Sequence, residues 1–160
     1  MGEGKLGDFW RDFLSTLPAG SAFRDRGYEA WSFGDGPEMA DRLGGLVLAG
    51  RKTATCSALW ELEAEGEPVA RPGEKSIILD GRGEPLCVIE TTEVEVRRFD
   101  EVDEAFARDE GEGDLSLAYW REVHRRFFAG TLPEIGHRFS EDMPLVCERF
   151  RVIYIQSRSF

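Results

Sequence analysis

The 160-residue chain predicts an α+β domain built around a small, curled or barrel-like sheet. Three observations carry that expectation. Five or six short apolar runs are separated by segments of helical spacing. They lack the regular strand–helix–strand alternation of a doubly wound sheet. The length is that of one domain, enough to bury about two-thirds of the unfolded surface.

The elements follow in order. Residues 6–17 read as a helix, because Leu6, Phe9, Trp10, Phe13, Leu14 and Leu17 recur at i, i+3 and i+4; Pro18 and Gly20 end it. Residues 28–33 read as a short strand before the turn Gly34-Asp35-Gly36. Asp35 or Gly36 can cap a second helix, with Pro37 near its first position, that runs through Leu43 and Val47 to Gly50. The pair Gly44-Gly45 inside it costs up to about 1 kcal/mol per residue against alanine, which points to close packing or to a weak middle. From Thr53 the character turns to β: a strand at 53–59, an acidic excursion at 61–67, and a turn at Arg71-Pro72-Gly73. Strands at 75–79 and 85–96 are joined as a hairpin by Asp80-Gly81-Arg82-Gly83-Glu84. Helices at 100–110 and 114–128 flank Gly111-Glu112-Gly113, and a strand at 145–155 closes the fold.

Charge and cysteine usage bound the function. The net charge of −11 argues against a dedicated binder of long nucleic acid. The balance is uneven: residues 1–120 hold 13 Lys and Arg against 26 Asp and Glu, whereas 121–160 hold 7 against 5. A local basic face from Arg121, Arg125, Arg126, Arg149 and Arg151 therefore stays open, beside the plainer reading of a solvated helix and a charged edge strand. Cys56, Cys87 and Cys147 are dispersed and odd in number, which suits buried small hydrophobes in a reducing compartment. No apolar run approaches the ~20 residues of a membrane span, and the N-terminus lacks a signal pattern. A soluble, cytoplasmic protein without a membrane partner is expected.

Two motifs bear on chemistry. Gly50-Arg51-Lys52-Thr53-Ala54-Thr55 sets a lysine and hydroxyls against a glycine turn. A half-buried lysine can act as a base near neutral pH, and a threonine within its reach as a nucleophile. The plain alternative is a helix C-cap followed by solvated cations. A phosphate loop is excluded: Arg51 breaks its spacing, and the stretch follows a helix rather than opening one. The second motif is Glu110-Gly111-Glu112-Gly113-Asp114, whose carboxylates can bind a hard cation or move protons; alternatively it is an interhelix loop with Asp114 as N-cap. His124 reads as a partly buried structural histidine and His137 as a loop residue. Trp31 and Trp60 can stack on a base or pack as core aromatics.

Together these pieces resemble the ASCH domain. They are Ala49-Gly50-Arg51-Lys52-Thr53-Ala54-Thr55 after an amphipathic helix, the Pro72-Gly73 turn, the strand Cys87-Val88-Ile89-Glu90-Thr91-Thr92, and Glu110-Gly111-Glu112-Gly113-Asp114 leading to Trp120-Arg121. The segment from Phe33 to Pro37 is similar to the longer bacterial members. The resemblance implies a PUA-like fold, a small β-barrel with helices packed around it, in an ASCH domain over 21–160 carrying an N-terminal helix over 1–20. It also implies a cleft for RNA or a modified nucleoside. One branch of the family hydrolyses the acetyl amide of N4-acetylcytidine with a lysine, a threonine and a glutamate, which correspond here to Lys52, Thr55 and Glu110, with Glu112 as the alternative carboxylate. That branch carries an arginine where this chain has Ser57. Substrate contacts are expected from Arg51, Thr53, Ser57, Asp35, Glu112, Asp114, Trp31, Trp120 and Arg121, with no cofactor and no metal.

Lys52 and Thr55 can cooperate only if residues 51–54 form a turn or bulge, because residues three apart in a flat strand face opposite sides. Three functions stay open. A metal-independent amidohydrolase acting on a small modified nucleoside predicts turnover insensitive to salt. A non-catalytic module for short RNA predicts steep salt dependence. A metal-dependent ribonuclease using Glu110, Glu112 and Asp114 predicts inhibition by chelator.

Overall fold

A computed structural model describes residues 2–18, 27–34 and 36–155; Gly20, Asp35 and the expected boundary at 20/21 lie outside them. The chain forms two compact units, one from 1–50, 73–91 and 151–160, the other from 51–72 and 92–150. Five strands pair in one mixed sheet, in the order β1 (Glu29–Trp31), β3 (Lys75–Leu79), β4 (Pro85–Arg98), β5 (Pro144–Ile155) and β2 (Ala54–Ala58).

The first unit opens with α1 (Gly2–Ser15), which starts earlier than its apolar spacing alone predicts. Phe9, Trp10 and Phe13 are buried on it and pack with Ile77 and Val88, while Leu6, Leu14, Tyr28 and Tyr154 close the edges. Burying each such side chain is worth roughly 1.5–3 kcal/mol, so tertiary packing rather than propensity holds this helix. β1 (Glu29–Trp31) lies parallel to β3 (Lys75–Leu79). β3 in turn pairs antiparallel with β4 (Pro85–Arg98), with Ile77 opposite Val88. α2 (Pro37–Leu48) is capped by Gly36, and its buried positions Ala40, Leu43, Gly44 and Val47 follow the helical period. The glycine pair divides its roles. A Cβ on Gly44 would stand 2.6 Å from Leu86 Cδ1, so the helix packs closely there and a larger residue would have to displace the end of that side chain, whereas nothing lies within 4 Å of one on Gly45.

In the second unit, β2 (Ala54–Ala58) pairs antiparallel with β5 (Pro144–Ile155), Cys56 opposite Cys147. Ala54, Ala58, Phe99, Phe106, Trp120, Phe128, Leu132 and Leu145 form its core. Three expectations need correction here. The acidic excursion at 61–67 is mostly helix: α3 (Leu59–Glu65) ends where Gly66 turns left-handed at φ 70°. Its seven residues span only two turns, too few for a helical period to stand out in the sequence. The helix expected at 100–110 is broken, with a 3-10 turn at Phe99–Glu101 and then α4 (Glu104–Glu110). Val102 is extended between them and buried in the core, and Asp103 caps α4 by accepting from the Phe106 amide. Finally, α5 (Leu117–Thr131) starts three residues later than expected, with Ser116, not Asp114, as its N-cap. Asp114 instead accepts from the Ser116 amide at 2.9 Å, one turn of chain earlier. Among the described residues no helix is long and apolar enough to cross a membrane.

Candidate functional site

Lys52 lies after the Gly50 turn (φ 76°) and before β2 begins, in an irregular segment where period-2 alternation does not apply. That segment is held on both sides. The Thr53 amide donates to the Asp109 carbonyl at 2.7 Å, and the Thr53 carbonyl accepts from the Phe150 amide at 3.1 Å. Gly111 makes the approach possible. It sits at φ +79°, and a Cβ there would stand 2.5 Å from the Arg51 carbonyl oxygen and 3.0 Å from Lys52 Cα. The end of α4 is thereby pressed against the lysine.

The result is a buried charge cluster, with Lys52 and Glu110 each only 2% exposed. Lys52 Nζ donates to the carbonyls of Ala54 (3.0 Å) and Glu110 (3.3 Å). It lies 3.9 Å from the Glu110 carboxylate and 3.8 Å from that of Glu112. His124, reached one turn after Trp120 on α5, brings Nε2 to 3.1 Å from Glu110 Oε2. Its other ring nitrogen faces the Trp120 carbonyl at 2.8 Å. A carbonyl only accepts, so Nδ1 carries a proton. The ring stacks on Trp120 at 4.1 Å and 19°.

The electrostatics are mutual. Burial alone would raise the pKa of Glu110, but the Lys52 ammonium and the His124 hydrogen bond outweigh it and hold the carboxyl below its ordinary value. Burial alone would lower His124; the Glu110 carboxylate raises it above the ordinary histidine value. The Cys56 thiol, set against the same carboxylate, is pushed up by burial and then by that negative charge. Among the described residues, Glu110 Oε1 and Trp120 Nε1 are buried without a hydrogen-bond partner. One is an acceptor and the other a donor, and each costs about 1–3 kcal/mol left unpaired.

The expected site residues fall into groups. Lys52, Glu110 and Glu112 come together, and Trp120 supports His124. Thr53 anchors the segment through its backbone. Thr55 and Ser57 are half-buried on β2, opposite Glu148 and Val146 of β5; alternation turns both away from the face of Ala54, Cys56 and Ala58. Thr55 nonetheless follows directly on the peptide whose carbonyl Lys52 grips. Arg51 and Asp114 are exposed and Arg121 half-buried, while Trp31 sits in β1 of the first unit, edge-to-face with Phe33 at 4.6 Å. Asp35 lies outside the described residues. The basic face is engaged with acids: Arg125 pairs with Glu141, Arg126 with Glu122, Arg149 with Asp109 and Arg151 with Glu90. Trp60 stacks on His137 at 4.4 Å. Sequence reasoning missed two members of the cluster, His124 and Cys56. The helical interval from Trp120 to His124, which puts both on the core face of α5, was the available signal.

The ASCH domain family model matches residues 29–154. The chain is similar to the ASCH domain from Lactobacillus crispatus, 35% identical with a TM-score of 0.89, over 94% of this chain and 95% of that one. It is also similar to protein EF3133 from Enterococcus faecalis, of family DUF984, 41% identical with a TM-score of 0.82, over 95% of this chain and 90% of that one. ZmASCH from Zymomonas mobilis, 12% identical with a TM-score of 0.51 over 79% of this chain and 70% of that one, shares the fold alone. No curated protein matches the chain. The α+β, PUA-like fold implied by the sequence is the fold observed. The chain belongs to the ASCH domain family.

Proposed function

We propose that the chain is an amidohydrolase that takes a small modified nucleoside of the N4-acylated cytidine type at the Lys52–Glu110 cluster. The observation that carries this reading is the buried, unpartnered Oε1 of Glu110 beside a buried lysine. A fixed carboxylate oxygen without a donor is complementary to an exocyclic N–H, and carboxylates accept from cytosine N4 in the same manner. The Thr55 side chain, turned away from the Cys56 face in the free chain, must swing toward the cluster when substrate binds; its hydroxyl then attacks the acyl carbonyl, the amide C–N bond breaks and a threonine ester forms. The Glu110 carboxylate takes the hydroxyl proton and passes it to the leaving nitrogen, with the Lys52 ammonium beside it; water then hydrolyses the ester. Lys52 grips the carbonyl that precedes Thr55, and His124 holds the other carboxylate oxygen of Glu110. A neutral nucleoside approaches a −11 protein at little electrostatic cost.

A phosphate-binding track is less favoured, since Arg125, Arg126, Arg149 and Arg151 already pair with carboxylates. The test is release of cytidine from N4-acetylcytidine, followed by liquid chromatography, for the wild type, Thr55→Val and Glu110→Gln. Release by the wild type, lost at least a hundredfold in both variants and flat from low to high salt, supports the assignment. Unchanged turnover in Thr55→Val removes the nucleophile. No turnover at all, with salt-sensitive binding of short RNA, replaces the reading with RNA binding.

A further inference from the structure

The cluster holds a second chemical possibility, independent of the lysine. Cys56 Sγ, a Glu110 carboxylate oxygen and a His124 ring nitrogen lie within 4.8 Å of one another. The His124 Nε2 to Glu110 Oε2 separation is 3.1 Å. Two ligands on a tetrahedral zinc ion, with bonds near 2.0 Å, stand about 3.3 Å apart. His124 is already oriented as metal-binding imidazoles are, its Nδ1–H donated to a backbone carbonyl. Glu110 Oε1, fully buried, makes no hydrogen bond. The donor set of one sulfur, one nitrogen and one carboxylate oxygen suits zinc and its neighbours rather than magnesium or calcium, which prefer all-oxygen shells.

We propose that Cys56, Glu110 and His124 form a binding site for a single zinc-class divalent cation, with the fourth coordination position open. Lys52, 3.9 Å from Glu110 Oε2, is the opposing charge. Its repulsion is offset in two ways: Glu112 lies 3.8 Å from the same ammonium, and coordination expels the proton of the Cys56 thiol. If the hydrolase reading holds, on which this one consequence rests, the ion occupies the carboxylate that the substrate needs, and zinc inhibits.

The test is cobalt(II) titration of metal-free protein, read by absorbance, with melting temperature measured with and without zinc. The wild type is expected to bind one ion per chain, to show a thiolate-to-cobalt charge-transfer band, and to melt higher with zinc. Cys56→Ala, a small residue between Ala54 and Ala58, should fold, lose the band and bind at least tenfold more weakly. His124→Gln should also bind at least tenfold more weakly, whereas Cys87→Ala in the first unit should bind as the wild type does. No band in the wild type, or equal affinity in Cys56→Ala, overturns the site. Metal binding without nucleoside turnover refutes only the hydrolase reading, and turnover without cobalt binding refutes only the metal site.

Discussion

At the scale of single residues, the decisive fact is how deeply Lys52 is buried. The sequence places a lysine after a helix-ending glycine and predicts half-burial. The structure closes the side chain off because the end of α4 packs on it: Nζ donates to the Glu110 carbonyl, 58 residues along the chain, and Gly111 lies against the Arg51–Lys52 backbone. Substitution therefore acts on stability as well as on chemistry. Removing one partner of a buried ion pair leaves the other uncompensated, which costs about 3–5 kcal/mol. Lys52→Met, measured by chemical denaturation, should lose that much. A loss below about 1 kcal/mol would mean that Glu110 and Glu112 do not depend on the lysine. Glu110 was legible in the sequence because glycines and carboxylates crowd its segment. His124 was not, because its partner stands on a different helix and nothing in local spacing joins them.

At the scale of elements, capping separates what the sequence shows from what packing decides. Both Asp114 and Ser116 are residue types that cap helix N-termini, and Asp114 is the one expected from the sequence. The chain selects Ser116, whose hydroxyl accepts from the Tyr119 amide at 3.1 Å, because Leu115 takes a left-handed turn (φ 68°) between the two. Ser116→Ala should cost about 1 kcal/mol in thermal unfolding, and Asp114→Ala clearly less. The reverse order would restore Asp114 as the cap. The strand at 75–79 was readable to the residue because its apolar run is bounded by Gly73 on one side and the Asp80 turn on the other. α3 was not, since its seven residues span only two turns, and Leu59, Trp60 and Leu62 are too few to show a helical period.

For the whole molecule, charge is the governing property. Glu90 sits between Lys75 (3.1 Å) and Arg151 (2.6 Å) in the first unit. Burial alone would raise its pKa, but the hydrogen bonds of Arg151 and Lys75 prevail and hold it below the ordinary value. A carboxylate whose pKa is depressed by folding contributes stability that is present above its unfolded value and is lost as pH falls through the folded one. Glu90→Gln should therefore lower stability near neutral pH and flatten the acid limb of the stability profile below the ordinary glutamate range. An acid limb parallel to that of the wild type would show that the pair contributes nothing on folding.

The central claim is that ligand binds at the buried Lys52–Glu110–His124 cluster and not on the arginine-bearing surface. Amide and indole spectra of 15N-labelled protein, recorded as N4-acetylcytidine is added, test it directly. The account predicts shifts in the backbone of 52–56 and 110–113 and in the Trp120 indole N–H, which has no hydrogen-bond partner among the described residues. Shifts confined to Arg121, Arg125 and Arg126, or none at saturating nucleoside, would contradict it.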